Sequence, residues 1–204
     1  ECQTPQDQAI RLCFAQLQDQ PVDWLAHLDS DEFLNIAPGA APVQTLTHRA
    51  GEAHAIAMPW LNFGDNGLTQ WPGETLRAFT ACEAAMDETL VKFKSLFRFR
   101  AFEHASEHMP TRPRINAPVA VNAAGQALSS APLLGRPQSR YRPVATALQG
   151  GAVVNHYAIR SPDVFQLKDD RGFGSGTPFG KYRLGSKWHR RANRNDRQDR
   201  SILR

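Results

Sequence analysis

The chain has 204 residues, 41% hydrophobic and 22% charged, with a formal net charge of +4, enough for one ordinary globular core with at most a small appendage. No apolar run approaches the ~20 residues of a membrane span, and the N-terminus lacks the charged-then-apolar order of a secretory signal, so a cytoplasmic protein is expected. Cys2, Cys13 and Cys82 are odd in number and widely spaced, which argues against a disulfide framework or a zinc site and predicts reduced thiols.

Thr4-Pro5-Gln6-Asp7 starts a helix, with Thr as cap, Pro in the first turn and an acid at the positive end of the dipole. Ile10, Cys13, Phe14 and Leu17 then share one helical face. Gln20-Pro21 leads into a strand from Val22 that ends abruptly in Asp29, Asp31 and Glu32. A strand that delivers Asp29 and Asp31 to one side of its exit turn makes a hard, oxygen-rich site for Mg²⁺ or Mn²⁺, able to carry a diphosphate. The same residues also suit a solvated turn or a helix cap.

Residues 37 to 52, rich in Pro, Gly and Ala, predict a loop. His54 to Leu61 predicts a strand that runs into a tight turn at Phe63-Gly64-Asp65-Asn66-Gly67. Leu76 to Leu90 is expected to be helical, and Val91 to Phe99 a half-buried strand in which Lys92, Lys94 and Arg98 alternate with apolar residues. The stretch 110 to 149 is the least regular. Ala152 to Ile159 predicts a strand, and Ser161-Pro162-Asp163 opens a helix through Lys168. Strands separated by helices argue for an α/β domain.

The charge is uneven along the chain. From Lys181 to Arg204 nine Lys or Arg face two Asp, a net of +7, which leaves residues 1 to 180 at −3. Such an arm suits nucleic acid, an anionic membrane surface or a phosphorylated ligand, and equally a solvated basic helix. Trp188 is expected to anchor it on the body while Arg190, Arg191 and Arg194 face outward.

Five blocks in order carry a family likeness: Asp-Trp-Leu-Ala-His-Leu-Asp-Ser-Asp-Glu-Phe-Leu, Trp-Leu-Asn-Phe-Gly-Asp-Asn-Gly, Lys-Ser-Leu-Phe-Arg, Asn-His-Tyr-Ala-Ile-Arg-Ser-Pro-Asp-Val-Phe-Gln-Leu-Lys-Asp-Asp-Arg-Gly, and Arg-Arg-Ala-Asn-Arg-Asn-Asp-Arg-Gln-Asp-Arg-Ser-Ile. In this order they resemble the bacterial family 2-like glycosyltransferases, from about Thr4 to Ile202. The resemblance implies a GT-A fold, a Rossmann-like α/β sandwich with a mixed sheet. Residues 1–180 would form a partial catalytic domain and 181–204 a basic arm of the same domain. The βαβ portion with which members of the family begin has no counterpart here, so the expected fold is N-terminally truncated.

The activity implied is metal-dependent transfer of a sugar from a nucleotide-sugar donor to a saccharide or lipid-linked acceptor. By the resemblance, Asp29 and Asp31 match the metal motif for Mn²⁺ or Mg²⁺, and His156 looks like the late histidine that completes it; His27 and His108 match less well. Lys168 and Arg171 resemble cations that contact the donor phosphates, where developing negative charge needs positive groups. The turn from Trp60 to Gly67 looks like an acceptor-side loop whose glycines let backbone approach the donor sugar. Asp65, Glu74 and Glu83 are the nearby acids able to serve as base, and Asp65 is the one expected to do so; it equally suits a β-turn closed by its own side chain. The basic arm would give peripheral contact with the inner membrane face. A polyanion-binding module that uses the arm, or an inactive remnant, are the competing readings, and the absence of an RNA-binding or zinc-finger signature argues against nucleic acid.

Overall fold

Thr4 caps helix α1 (Pro5–Leu17): its hydroxyl accepts the Asp7 amide at 3.2 Å, and Pro5 fills a first-turn position where no donor is needed. The computed structural model describes residues 4–37, 41–134, 140–171 and 182–204; Cys2, Lys181 and the glycine that closes the Lys-x-x-Arg-Gly block lie outside them. Cys13 and Cys82 are free thiols, as expected.

The strands in chain order are β1 (Trp24–Ala26), β2 (Glu32–Ile36), β3 (Ala55–Asn62), β4 (Ala81–Cys82), β5 (Phe93–Arg98), β6 (Phe102–Ala105), β7 (Pro110–Pro113), β8 (Ala120–Asn122), β9 (Ala127–Leu128), β10 (Ala152–His156) and β11 (Arg197–Gln198). The further helices are α2 (Gln44–Ala50), α3 (Val144–Ala147), α4 (Pro162–Arg171) and α5 (Lys187–Ala192). The main sheet runs β1-β5-β3-β10-β2, with β8 and β9 beside the first half of β3. Strand β3 is parallel to β8 and β10 and antiparallel to β5, so the protein is a mixed α/β fold with a mixed sheet. Among the described residues no helix is long and apolar enough to cross a membrane.

One sheet face carries Ala55, Ala57, Phe93 and Phe97, covered by Ile10 and Phe14 of α1 and by Leu133, Tyr141 and Val144. The other carries Ile56, Leu96, Val154 and Ile36, packed against Leu46 and Ala50 of α2. Cover on both faces explains why β5 is buried at all but Arg98, where a half-buried strand was expected.

Three expectations are corrected. Helix α2 replaces part of the loop predicted over 37–52, because Leu46 and Ala50 have apolar surface to bury on the sheet. The predicted strand from Val22 shrinks to β1, since the chain leaves the sheet edge after Ala26. No helix forms over 76–90. The backbone there is engaged over long range: β4 pairs with β11, and the Thr80 and Cys82 carbonyls accept the amides of Asp199 and Asp196 at 2.7 and 2.9 Å.

Strands β1 and β2 lie at opposite edges of the five-strand path; β1 runs parallel to β3, its last residue level with Ile56, and points toward the end of the sheet where β3 ends. The five residues between them, 27 to 31, therefore pass over that end of the sheet. The Glu32 amide closes on the Asp29 carbonyl at 3.0 Å, turning the chain into β2.

Candidate functional site

Alternation puts Met58, Trp60 and Asn62 of β3 on one face. The register carries that face across the sheet: Met58 lies beside Lys94, Asn62 beside His156, and His156 beside Glu32. The face thus turns from core to polar chemistry along β3, at the carboxyl ends of parallel β3 and β10, the end where open α/β sheets bind ligands.

Lys94 is fully buried. Its ammonium lies 3.1 Å from Asp29 Oδ2, 3.0 Å from Glu32 Oε2 and 2.6 Å from the Glu107 carbonyl, the kind of set a buried cation requires. Gln6 Nε2 donates to Asp29 Oδ1 at 3.4 Å, and the Asp29 amide to Glu32 Oε2 at 2.9 Å. Burial pushes the Glu32 carboxyl up to about 7 against the pull of Lys94.

Asp31 is turned to the other lysine. Its Oδ2 meets Lys168 Nζ of α4 at 2.5 Å, and its carbonyl accepts the Tyr157 amide at 2.8 Å, which ties the turn to the end of β10. Burial works to raise its pKa, but Lys168, His156 and Arg160 outweigh burial and hold the carboxyl below the usual range. The Lys168 ammonium also lies 5.2 Å from the Tyr182 ring and 5.9 Å from the Trp188 ring.

His156 stacks on Trp60 with centroids 4.0 Å apart, and its Nδ1 is 3.1 Å from Asn62 Oδ1. Asn62 Nδ2 donates to Glu83 Oε1 at 3.0 Å, which turns its carbonyl toward the imidazole. A carbonyl only accepts, so Nδ1 carries the proton and Nε2 presents a lone pair. Burial depresses the His156 pKa to about 4, leaving the ring neutral. Glu83 also accepts the Asn62 amide at 2.6 Å, and burial raises its pKa. Asn62 thereby bridges a neutral imidazole and a carboxyl group whose proton is held more tightly than usual.

A cavity of about 240 Å³ opens beside this bridge, lined among others by Trp60, Asn62, Glu83, His156, Trp188 and Arg191. That volume falls just below the roughly 300–1,000 Å³ of drug-sized ligand sites.

Among the described residues no three His, Cys, Asp or Glu side chains converge as a cation site. Of the three expected ligands, Asp29 is held by Lys94 and Gln6. Asp31 and His156 are brought together. They lie within Coulombic reach of each other, with Asp31 Oδ2 taken by Lys168 and His156 Nδ1 by Asn62, while Asp31 Oδ1 makes no hydrogen bond among the described residues. Of the two expected phosphate cations, Lys168 sits on Asp31, whereas Arg171 ends α4 exposed to solvent.

Asp65 is employed differently from the base expected there. It opens a type I′ turn, with the Leu68 amide on its carbonyl at 2.9 Å and positive φ at Asn66 and Gly67. Its Oδ1 accepts the Gly67 amide and Asn195 Nδ2, each at 3.0 Å, and its Oδ2 accepts Asn193 Nδ2 at 2.7 Å. This clasp commits both oxygens to the arm. Gly64 serves the arm too: a Cβ there would lie 2.4 Å from Asn195 Oδ1 and 2.6 Å from the Arg194 carbonyl. Gly64→Ala is therefore expected to cost about 1–3 kcal/mol by overpacking. Urea denaturation and limited proteolysis check this, and an unchanged midpoint with no new cleavage in 182–204 rejects the clasp.

The arm joins the body through Trp188, which stacks on Phe165 at 5.9 Å and meets Tyr182 edge-on at 4.9 Å, and through β11 on β4. Arg190 is exposed, as expected. Arg191 is exposed too, at the rim of the cavity it helps to line, whereas Arg194 is half-buried in that lining.

Sequence reasoning missed the role of Lys94 and took Trp60 and Asn62 only as part of an acceptor-side turn. Lys94 alternated with apolar residues in an expected half-buried strand; its signal was the neighbourhood, since a lysine inside a strand flanked by Phe93, Leu96 and Phe97 has no wet face to occupy. Compared with protein-family models, curated proteins and solved structures, the chain gives no significant match.

Proposed function

We propose that this chain is the catalytic portion of a glycosyltransferase of GT-A type, moving a sugar from a nucleotide-sugar donor to a hydroxyl of a saccharide acceptor. The observation that carries the reading is the Asn62 bridge: one amide joins the neutral His156, beside the ionised Asp31, to Glu83 in a cavity with two indole rings. Donor chemistry and acceptor chemistry need such neighbours.

In this reading Asp31 and His156 hold the divalent cation, and Asn62 orients the imidazole toward it. The cation, when bound, supplies Lewis-acid stabilisation of the leaving diphosphate. Lys168 adds a second positive charge on the same side, released from Asp31 as the diphosphate arrives. Trp60 and Trp188 offer apolar surface to the acceptor ring. Glu83 takes the proton of the attacking hydroxyl, a task that its raised pKa suits. Asp65 holds the arm and has no part in the chemistry.

The test is nucleotide binding. With UDP or GDP at about a hundred times its Kd, Mn²⁺ is expected to add about 2.7 kcal/mol of stability, or roughly 5–10 °C in Tm for a chain of this size. Asp31→Asn should remove the Mn²⁺-dependent part. A wild-type protein that shows no Mn²⁺-dependent response to either nucleotide would falsify the reading.

A further inference from the structure

Three cations reach the cavity: Lys92 from the segment before β5, Arg191 from α5, and Arg194 just beyond it. Arg194 is satisfied within the arm, its Nη2 2.6 Å and its Nε 3.1 Å from Asp196 Oδ2. Arg191 differs. Nη2 donates to the Leu90 carbonyl at 2.8 Å, and the guanidinium forms no ion pair among the described residues.

Among the described residues the acids at the cavity form no ion pair with it, although Asp87 lies within its Coulombic reach. Glu83 is turned to Asn62, and Asp87 Oδ1 accepts the Thr89 amide at 2.8 Å and the Thr89 hydroxyl at 2.6 Å. Burial, and after it the nearby Arg140 and Arg191, lower the Lys92 pKa, with Glu107 acting the other way. A planar fork with donors to spare, beside two indole rings, matches a sugar that bears an anionic group better than a neutral one.

Resting on the reading above, we infer that the acceptor is an anionic saccharide: its carboxylate or phosphate is held by Arg191 with Lys92, and its ring lies against Trp60 and Trp188. Lys92 and Arg191 line the cavity and Asp31 and Lys168 are not in its lining, so acceptor and donor charges are met by different cations. The arm thus selects the substrate by charge.

Calorimetry on the full chain, with no nucleotide or Mn²⁺ present, tests this using glucose, glucuronic acid, glucose 1-phosphate and inorganic phosphate. Glucuronic acid or glucose 1-phosphate is expected to bind at least about tenfold more tightly than glucose, the size of one charge-assisted contact; which of the two binds better identifies the anionic group. The preference should collapse in Arg191→Gln and persist in Arg183→Gln, an exposed arginine of the same arm outside the cavity lining. Equal binding of neutral and anionic sugars, no binding of any sugar, or an unchanged preference in Arg191→Gln overturns the inference. So does inorganic phosphate that binds as tightly as glucose 1-phosphate, since the ring then contributes nothing. The Mn²⁺-dependent nucleotide response is a separate measurement, so either result can fail while the other stands.

Discussion

Glu83→Gln is expected to lower turnover of a nucleotide-sugar donor by roughly 10²–10⁴-fold, the usual worth of a positioned general base, while Mn²⁺-dependent nucleotide binding is retained. The substitution keeps an acceptor oxygen for the two Asn62 donors, which lie 2.6 and 3.0 Å from Glu83 Oε1. The Asn62 bridge and the His156 orientation should therefore survive, and the loss isolates proton transfer. Burial raises the Glu83 pKa, so the wild-type rate should fall on the acid side at a pH above that of an ordinary carboxylate. Turnover in Glu83→Gln within a few-fold of wild type would move the base elsewhere. Steady-state kinetics across pH, with nucleotide binding measured in parallel, decides the matter.

Lys94→Met is expected to give the largest loss of stability, about 3–5 kcal/mol near pH 8, because it strips the cation from the buried Glu32 carboxylate. Glu32 has no exposed side-chain surface, its Oε1 makes no hydrogen bond among the described residues, and Lys94 is the cation 3.0 Å from its Oε2. The sign with pH follows from the raised Glu32 pKa. The folded state binds the proton more tightly than the unfolded state, so this contribution is complete below about pH 4.5 and is lost as the pH rises through about 7. Without Lys94 the carboxyl titrates higher still, so the variant's deficit should be smaller at pH 5 than at pH 8. Adding Glu32→Gln should recover most of the pH 8 loss. Urea denaturation at the two pH values checks both statements, and a deficit that does not change with pH would assign it to the Glu107 carbonyl contact instead.

Much of the fold was legible where local signals agree with tertiary demands. Thr4-Pro5 starts a helix in any context, and the strands at 54–61, 91–99 and 152–159 match β3, β5 and β10 to within three residues at each end. The segment 76–90 misled because its apolar spacing suits a helix, while its carbonyls are claimed by residues more than a hundred positions later. Local propensity has no access to such pairing. Asp31, His156 and Lys168 were legible as chemistry-bearing residues, and the sheet register brings them together. Asp29 and Asp65 were legible only as carboxylates. What each does depends on Lys94, Asn193 and Asn195, and no spacing rule joins those positions to them.

The clasp that Asp65, Thr80 and Cys82 offer is filled by groups between Asn193 and Asp199. A chain emerging from the ribosome thus exposes these groups well before their counterparts exist, and contacts of such long sequence separation form late and slowly. Trp188 and Arg191, which complete the cavity, arrive with the same segment. During synthesis the sheet and the Asp31–Lys168 pair can form while the cavity still lacks a wall. Closure of the cavity and completion of the fold are then one event, so a nascent or damaged chain with an undocked arm has no enclosed space beside Glu83.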